Sequence, residues 1–280
     1  DENPYLMGRI DSDLMYDIVM QWEWGNSERL DIYHDTETRK NSISFRSNMA
    51  RLAETLINEK KFEKAKDILD LGTEKMPLDF FGYYSLIVPF VDGYYRIDEI
   101  EKAHKLSQRI AEKYFDRLHY FNSLDANLQY TLGEEIITEI ERYRTLVEAD
   151  LKHGEHVELT PILNQFMESI QPFKYLYGDY EFYTGLIDVA EGYFLDGQIE
   201  LAQNLSSKIS AEYEKRLSLY SQVSKESQRQ LISRIQRELS NFNYVVQIVK
   251  AYDSTKFGEE IEGIYNKNLL LFTAAFSEEE

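Results

Sequence analysis

The chain carries FVDGYYRIDEIEKAHKLSQRIAEKYFDRL at residues 90–118 and VAEGYFLDGQIELAQNLSSKISAEYEKRL at 189–217, and the second lies over the first at a constant offset of 99 without a gap. In each, apolar residues recur at the spacing of one helix face: Ile87, Phe90, Val91 and Tyr94 in the first, Leu186, Val189, Ala190 and Tyr193 in the second. An alanine follows each aromatic nine residues later, Ala103 after Tyr94 and Ala202 after Tyr193. The register continues with Ile136 over Ile235, Ile140 over Leu239, Tyr143 over Phe242 and Val147 over Val246. This reads as an internal duplication. Each copy is a helical hairpin followed by a long third helix, about 124–152 in the first and 224–253 in the second.

Upstream, residues 45–77 read FRSNMARLAETLINEKKFEKAKDILDLGTEKMP and follow the tetratricopeptide pattern of large, small and aromatic positions closed by a proline. Met49, Leu52, Ala53 and Leu56 fill the first helix; Ala65, Leu69 and Pro77 fill and end the second. The small Ala53 and Ala65 let two helices approach closely, EKKFEK is the exposed turn, and Pro77 cannot continue a helix. A single hairpin cannot bury its apolar face, so repeated hairpins stack. The expected fold is all-α, a tetratricopeptide-like α-solenoid of stacked helical hairpins. Its expected parts are an N-terminal helix and lead-in (1–35), a first repeat unit (36–153) and a second (154–280), packed as one body. KHGEHVELTP (152–161) is the boundary between repeat units: Gly154 breaks a helix, and Thr160 with Pro161 starts the next, which runs to Pro172. A last helix near 259–273 caps the array.

Composition excludes several functions. Of 280 residues, 43% are hydrophobic, enough for a sizeable core. Only 5 Pro and 13 Gly are present, which favours long helices over a turn-rich sheet. A net charge of -19 repels phosphate backbones and anionic membrane surfaces, so no nucleic-acid partner is expected. The absence of Cys rules out disulfides and thiolate metal sites. No apolar run approaches the roughly 20 residues of a membrane span; LLLFTAAF (269–276) is far too short. A chain opening on Asp1 without Met is expected to be a fragment or a processed product.

Nothing announces a reaction. Of five histidines only His153 and His156 are close, in DLKHGEHVE, and their spacing across a glycine is not that of helix-borne zinc ligands, so a solvated loop is expected and no metal or cofactor. The carboxylate pairs Glu134–Glu135 and Glu259–Glu260 are helix neighbours that face different ways and make no glycosidase couple. Nucleophile-elbow, dinucleotide and Walker motifs are absent. More informative are two aromatic clusters, FFGYY (80–84) and YLYGDYEFY (175–183), which open repeat units at equivalent places. Exposed there, Tyr83, Tyr84, Tyr180 and Tyr183, with the repeat aromatics Tyr94 and Tyr193, would grip a peptide or stack on a sugar; the competing reading is that these rings fill space between hairpins. QWEWGN (21–26) holds both tryptophans. Leu14, Met15, Ile18, Val19 and Trp22 form one helical stripe, which predicts a helix from Asp11 to Trp24 stopped by Gly25 and Asn26, with Trp22 in the core and Trp24 covering the helix end.

Together, the WGN ending (Trp24, Gly25, Asn26) and the following F-R-x-N-x-A-R-L-A segment (Phe45, Arg46, Asn48, Ala50, Arg51, Leu52, Ala53) go beyond the generic repeat. Over about residues 10–125 the chain resembles the C-terminal soluble region of a family of large bacterial membrane proteins similar to protein O-mannosyltransferases, polytopic glycosyltransferases that use lipid-linked sugar donors. The resemblance implies a tail tethered to a membrane domain on the periplasmic side of the inner membrane. Catalysis in such enzymes belongs to an acidic residue beside the first transmembrane helices, a segment this sequence lacks, so no catalytic residue carries over. The expected function is a non-catalytic interaction module that binds or positions a protein partner or acceptor polypeptide, with Trp24, Asn48, Arg51 and the tyrosines above as candidate binding residues. The alternatives are a glycan-binding module using the tyrosines, and an all-α carbohydrate-active enzyme.

Overall fold

The computed structural model describes residues 10–153, 159–253 and 256–276, without the side chains of 175, 177–182 and 273–276. Every regular element among the described residues is helical. In chain order these are α1 (Ser12–Val19), α2 (Thr36–Asn58), α3 (Phe62–Lys75), α4 (Leu78–Phe81), α5 (Val88–Arg96), α6 (Ile100–Ser123), α7 (Ala126–Thr131), α8 (Gly133–Leu151), α9 (Thr160–Ile170), α10 (Lys174–Leu195), α11 (Ile199–Ser221), α12 (Lys225–Gln230), α13 (Ile232–Tyr252) and α14 (Lys256–Phe276), with 3-10 turns at Tyr84–Leu86 and Gln171–Phe173. No described helix is long and apolar enough to cross a membrane. Packing divides the chain into two compact units, residues 1–113 and 114–280, and the division runs through α6. A division by repeated pattern at 153/154 is a different partition, and residues 154–158 lie outside the described ones.

In the first unit α2 and α3 form a hairpin. The Asp35 carboxylate caps α2 by accepting from the Thr38 amide at 2.8 Å, which satisfies one of the amide groups that a helix start leaves orphaned. Met49, Leu52, Ala53 and Leu56 are buried on α2, and Ala65, Ile68 and Leu69 on α3. These are the spacings read from the sequence. Burial of each large side chain contributes roughly 1.5–3 kcal/mol. α5 packs on both helices. A side chain at Gly72 of α3 would place its Cβ 2.5 Å from the Phe90 ring, so this crossing needs glycine. Arg46 is fully buried and donates to the backbone carbonyls of Met76, at 2.7 Å, and Gly82, fastening the 76–82 segment to α2. Burial lowers its pKa to about 10.

α1 departs from the sequence reading. It ends at Val19, not at Trp24. The Gln21 and Trp22 amides donate to the Ile18 and Val19 carbonyls, the tightened geometry of a last turn, and the chain then leaves the helix axis. Gly25 and Asn26 both have positive φ (57° and 61°), but they serve a separate turn closed by the Ser27 amide on the Trp24 carbonyl. Of the expected apolar stripe only Val19 is buried; Leu14 and Ile18 are exposed, and Trp22 is half-buried rather than core.

In the second unit α10 packs against α8, α9, α11 and α13, and α11 and α13 pack against α14. Positions 99 apart adopt matching local structure. The third helix of each predicted copy is broken once, between α7 and α8 at Leu132 and between α12 and α13 at Leu231, with nearly the same dihedrals (φ -93°, ψ 13° and φ -96°, ψ 3°). Asp125 caps α7 and Ser224 caps α12. Gln129 donates to the carbonyls of Asn122 and Leu124, and Gln228 to those of Ser221 and Val223. Ring packing recurs too. Tyr114 stacks on Tyr143 at 5.5 Å, and Phe166 meets Tyr143 edge-on at 5.1 Å. Tyr213 stacks on Phe242 at 5.7 Å, and Tyr265 meets Phe242 edge-on at 5.6 Å.

Candidate functional site

Among the described residues, two hollows on the first unit bear on function. The larger, about 540 Å³, is built where QWEWGN folds back on the start of α2. Trp22, Trp24 and Phe45 form a triangle of rings with centroids 5.1–5.8 Å apart, all inclined at 58–65° to one another. The geometry follows from the early end of α1: leaving the helix axis after Val19 lets both indoles reach Phe45 on the exposed side of α2. Met76 and Phe81, held in place by Arg46, form another part of the wall. His34 lies against the Phe81 ring at 5.2 Å. Glu23, Ser27, Thr38, Asn41 and Ser42 add polar groups to the lining. Ser42 is spent on the Arg39 carbonyl. His34 Nε2 is buried without a partner among the described residues.

The second hollow, about 280 Å³, lies between α2 and the Tyr84–Arg96 segment. Ser47, Ala50, Arg51 and Glu54 contribute one face of α2, at helical spacing. Opposite stand Pro89, Asp92 and Arg96. Arg96 donates to Asn58 at 2.6 Å and lies 3.6 Å from both Glu54 and Asp92. Its walls are therefore more polar and more charged than the ring cavity.

The remaining titratable groups of interest are buried in the second unit and each has an ionic partner. Asp188 receives the Arg144 guanidinium at 2.7 Å; burial outweighs this attraction and pushes the Asp188 carboxyl up to about 6. Glu238 faces the buried Arg216 at 3.3 Å, and burial raises its pKa. Glu139 is buried and paired with Arg142 at 2.8 Å. Among the described residues no group of three or more His, Asp or Glu is arranged to hold a metal ion.

The candidate residues from the sequence separate into three sets. Trp24 lines the ring cavity, Arg51 lines the second hollow, and Asn48 is exposed on α2. Tyr83 is exposed, at a positive φ of 49°, and Tyr84 is half-buried in the 3-10 turn after it. Tyr94, Tyr183 and Tyr193 are buried, which removes them from any surface that grips a ligand. Tyr94 donates to Asp70 at 2.8 Å, Tyr193 donates to Asn164, and Lys174 donates to the Tyr183 hydroxyl at 3.1 Å. The Tyr180 side chain lies outside the described residues. Sequence reasoning missed Trp22, His34, Asn41 and Phe45 as a group. Their only signal is the tryptophan pair itself, because the cavity forms from residues up to about 60 positions apart, joined by a helix end that the periodicity misplaces. No protein-family model matches the chain, and no curated protein or solved structure does either.

Proposed function

We propose that the chain is a non-catalytic helical-repeat interaction module, a tetratricopeptide-like solenoid with an internal duplication. It is the extracytoplasmic tail of a membrane glycosyltransferase-like protein, on the periplasmic side of the inner membrane, and it positions a protein partner or acceptor polypeptide. The observation that carries the reading is the hollow beside α2. The α2–α3 hairpin has the hairpin spacing of the repeat, and its first helix presents Ser47, Ala50, Arg51 and Glu54 as an open, mixed-charge face opposite the Tyr84–Arg96 segment. Such a face offers donors, acceptors and the apolar Leu86 and Pro89 to a docked polypeptide segment. The duplication is supported by matching helix breaks, caps and ring stacks 99 residues apart.

Selection of a displayed peptide library on the full chain tests the reading. An enriched consensus is expected, with binding weakened at least about tenfold by Arg51→Glu, which reverses a charge in the trough. Absence of any consensus, or a consensus indifferent to both Arg51→Glu and Asn48→Ala, removes it. The tail assignment is tested separately by the reading frame upstream of Asp1, which should encode about ten hydrophobic spans of about 20 residues each.

A further inference from the structure

The ring cavity differs in chemistry from the trough and calls for a different ligand. We infer that it is a binding site for a neutral pyranose sugar, the terminal ring or two of an oligosaccharide. Three observations support this. First, Trp22, Trp24 and Phe45 are half-buried or exposed, not sealed in a core, and they line an open cavity of about 540 Å³, within the size range of small-ligand sites. A pyranose presents a face of C–H bonds that packs on such rings. Secondly, although Ser27 and Ser42 donate to the Lys75 and Arg39 carbonyls, several polar groups around the rings are not consumed by the fold. The Trp22 and Trp24 indoles, the Glu23 carboxylate and the Asn41 amide make no side-chain hydrogen bond among the described residues, and His34 Nε2 is buried without one. A buried polar atom left alone is costly, and a native fold seldom keeps one without a use. Indole N–H groups only donate, a carboxylate only accepts, and the amide does both. A hydroxyl both donates and accepts, so a ring bearing several can meet this mixed set, whereas a hydrocarbon side chain would leave His34 Nε2 unmet. Thirdly, charge selects against the alternatives. The chain carries -19 and the rim carries Glu23 without a compensating Lys or Arg in the lining, so acidic sugars, nucleotides and anionic headgroups are repelled.

The site carries its own reporter. The chain has 2 tryptophans, both in this cavity, so its entire tryptophan emission comes from the proposed site. The full chain is titrated with cellobiose, maltose, mannobiose and chitobiose while emission is followed, with heats of binding measured in parallel. A saturable change with at least one disaccharide is expected, and Trp24→Ala should weaken it about tenfold. Asn41→Ala, on the exposed side of α2, should weaken binding while the thermal midpoint stays at the wild-type value; this keeps the test valid should Trp24→Ala unfold the turn. No saturable response to any of the four sugars overturns the proposal. So does saturation by a tryptophan-bearing peptide in their place, which would assign the cavity to a polypeptide side chain, or a blue shift on phosphatidylglycerol–phosphatidylethanolamine vesicles, which would make the rings a membrane contact. The outcome is independent of the peptide selection, which reads the other hollow.

Discussion

Glu139 and Glu238 occupy the same place in two stretches of helix 99 residues apart, and both carboxylates are almost fully buried, yet they are neutralised in different ways. Glu139 is served from outside, by Arg142 at 2.8 Å and Arg117 at 3.6 Å, each with about half its side chain (47%) exposed. Glu238 is served from within, by Arg216, whose side chain is 8% exposed and lies beneath the Tyr183 ring at 4.7 Å. The residue 99 positions after Arg142 is Asn241, which donates instead to Thr184 and the Tyr213 hydroxyl. Arg117 and Arg216 are also 99 residues apart, so an arginine at the same position meets the acid in both stretches. What differs is how deeply that arginine is buried and whether a second one, Arg142, stands beside it.

The largest expected effect breaks this comparison directly. Glu238→Ala leaves the buried Arg216 with Glu212 alone, at 3.2 Å, and should cost up to about 3 kcal/mol. Glu139→Ala leaves two arginines that reach water and should cost only ~1 kcal/mol. Denaturant unfolding of the two variants measures the gap, and equal losses would mean that the two acids sit in equivalent electrostatic settings.

A second difference is pH-dependent. Asp188 and Arg144 pair across α8 and α10, and the positions 99 residues away in each direction hold Pro89 and Asn243, so the pair has no counterpart. With the Asp188 carboxyl raised from 3.8 to about 6, the folded chain keeps a proton that the unfolded chain has already lost. Its contribution therefore favours folding at low pH and is lost as pH rises from about 4 to about 6, by at most about 3 kcal/mol. Other carboxylates, such as Asp13 and Asp79, are held low by lysines and pull the opposite way. The test is the difference in stability between wild type and Asp188→Asn across pH 4–7, which should shift over that window and be constant above it.

Smaller effects sharpen the comparison of the ring stacks. Tyr143 reaches Gln165 Oε1 at 3.0 Å, and Phe242 replaces it in the second stack. Phe242→Tyr buries a hydroxyl in a site that holds a bare ring and should cost about 1–3 kcal/mol, whereas Tyr143→Phe should cost ~1 kcal/mol. The helix caps should be nearly equal: Asp125→Ala and Ser224→Ala each remove one N-cap and should lower stability by roughly 0.5–2 kcal/mol. Thermal unfolding of the pairs decides both.

Most of this frame was legible in one dimension. The apolar positions of α2, α3 and α5 follow from helix periodicity, which survives in sequence because burial demands it. What periodicity could not supply was the break at Leu132 and Leu231, since a single residue out of helix leaves the apolar pattern intact. Nor did it separate buried from exposed tyrosines: Tyr83 and Tyr94 have the same chemistry, and only packing sends one out and one in. The QWEWGN stretch misled for a related reason. Its apolar stripe is a sound helical pattern, but the backbone turned early and took the indoles to Phe45. The ring cavity became visible only where local pattern and fold disagreed.

The central proposal is that the α2 side of the first unit meets other molecules while the helix breaks and ring stacks of the second serve only the fold. Photo-crosslinking residues placed one at a time at Asn48, Tyr83, Tyr130 and Arg229 in the native cell test it most directly, since all four positions are exposed and the last two lie 99 apart in the frame. The account predicts discrete protein adducts from Asn48 and Tyr83 that disappear with Arg51→Glu, and none from Tyr130 or Arg229. Adducts confined to Tyr130 and Arg229 would contradict it.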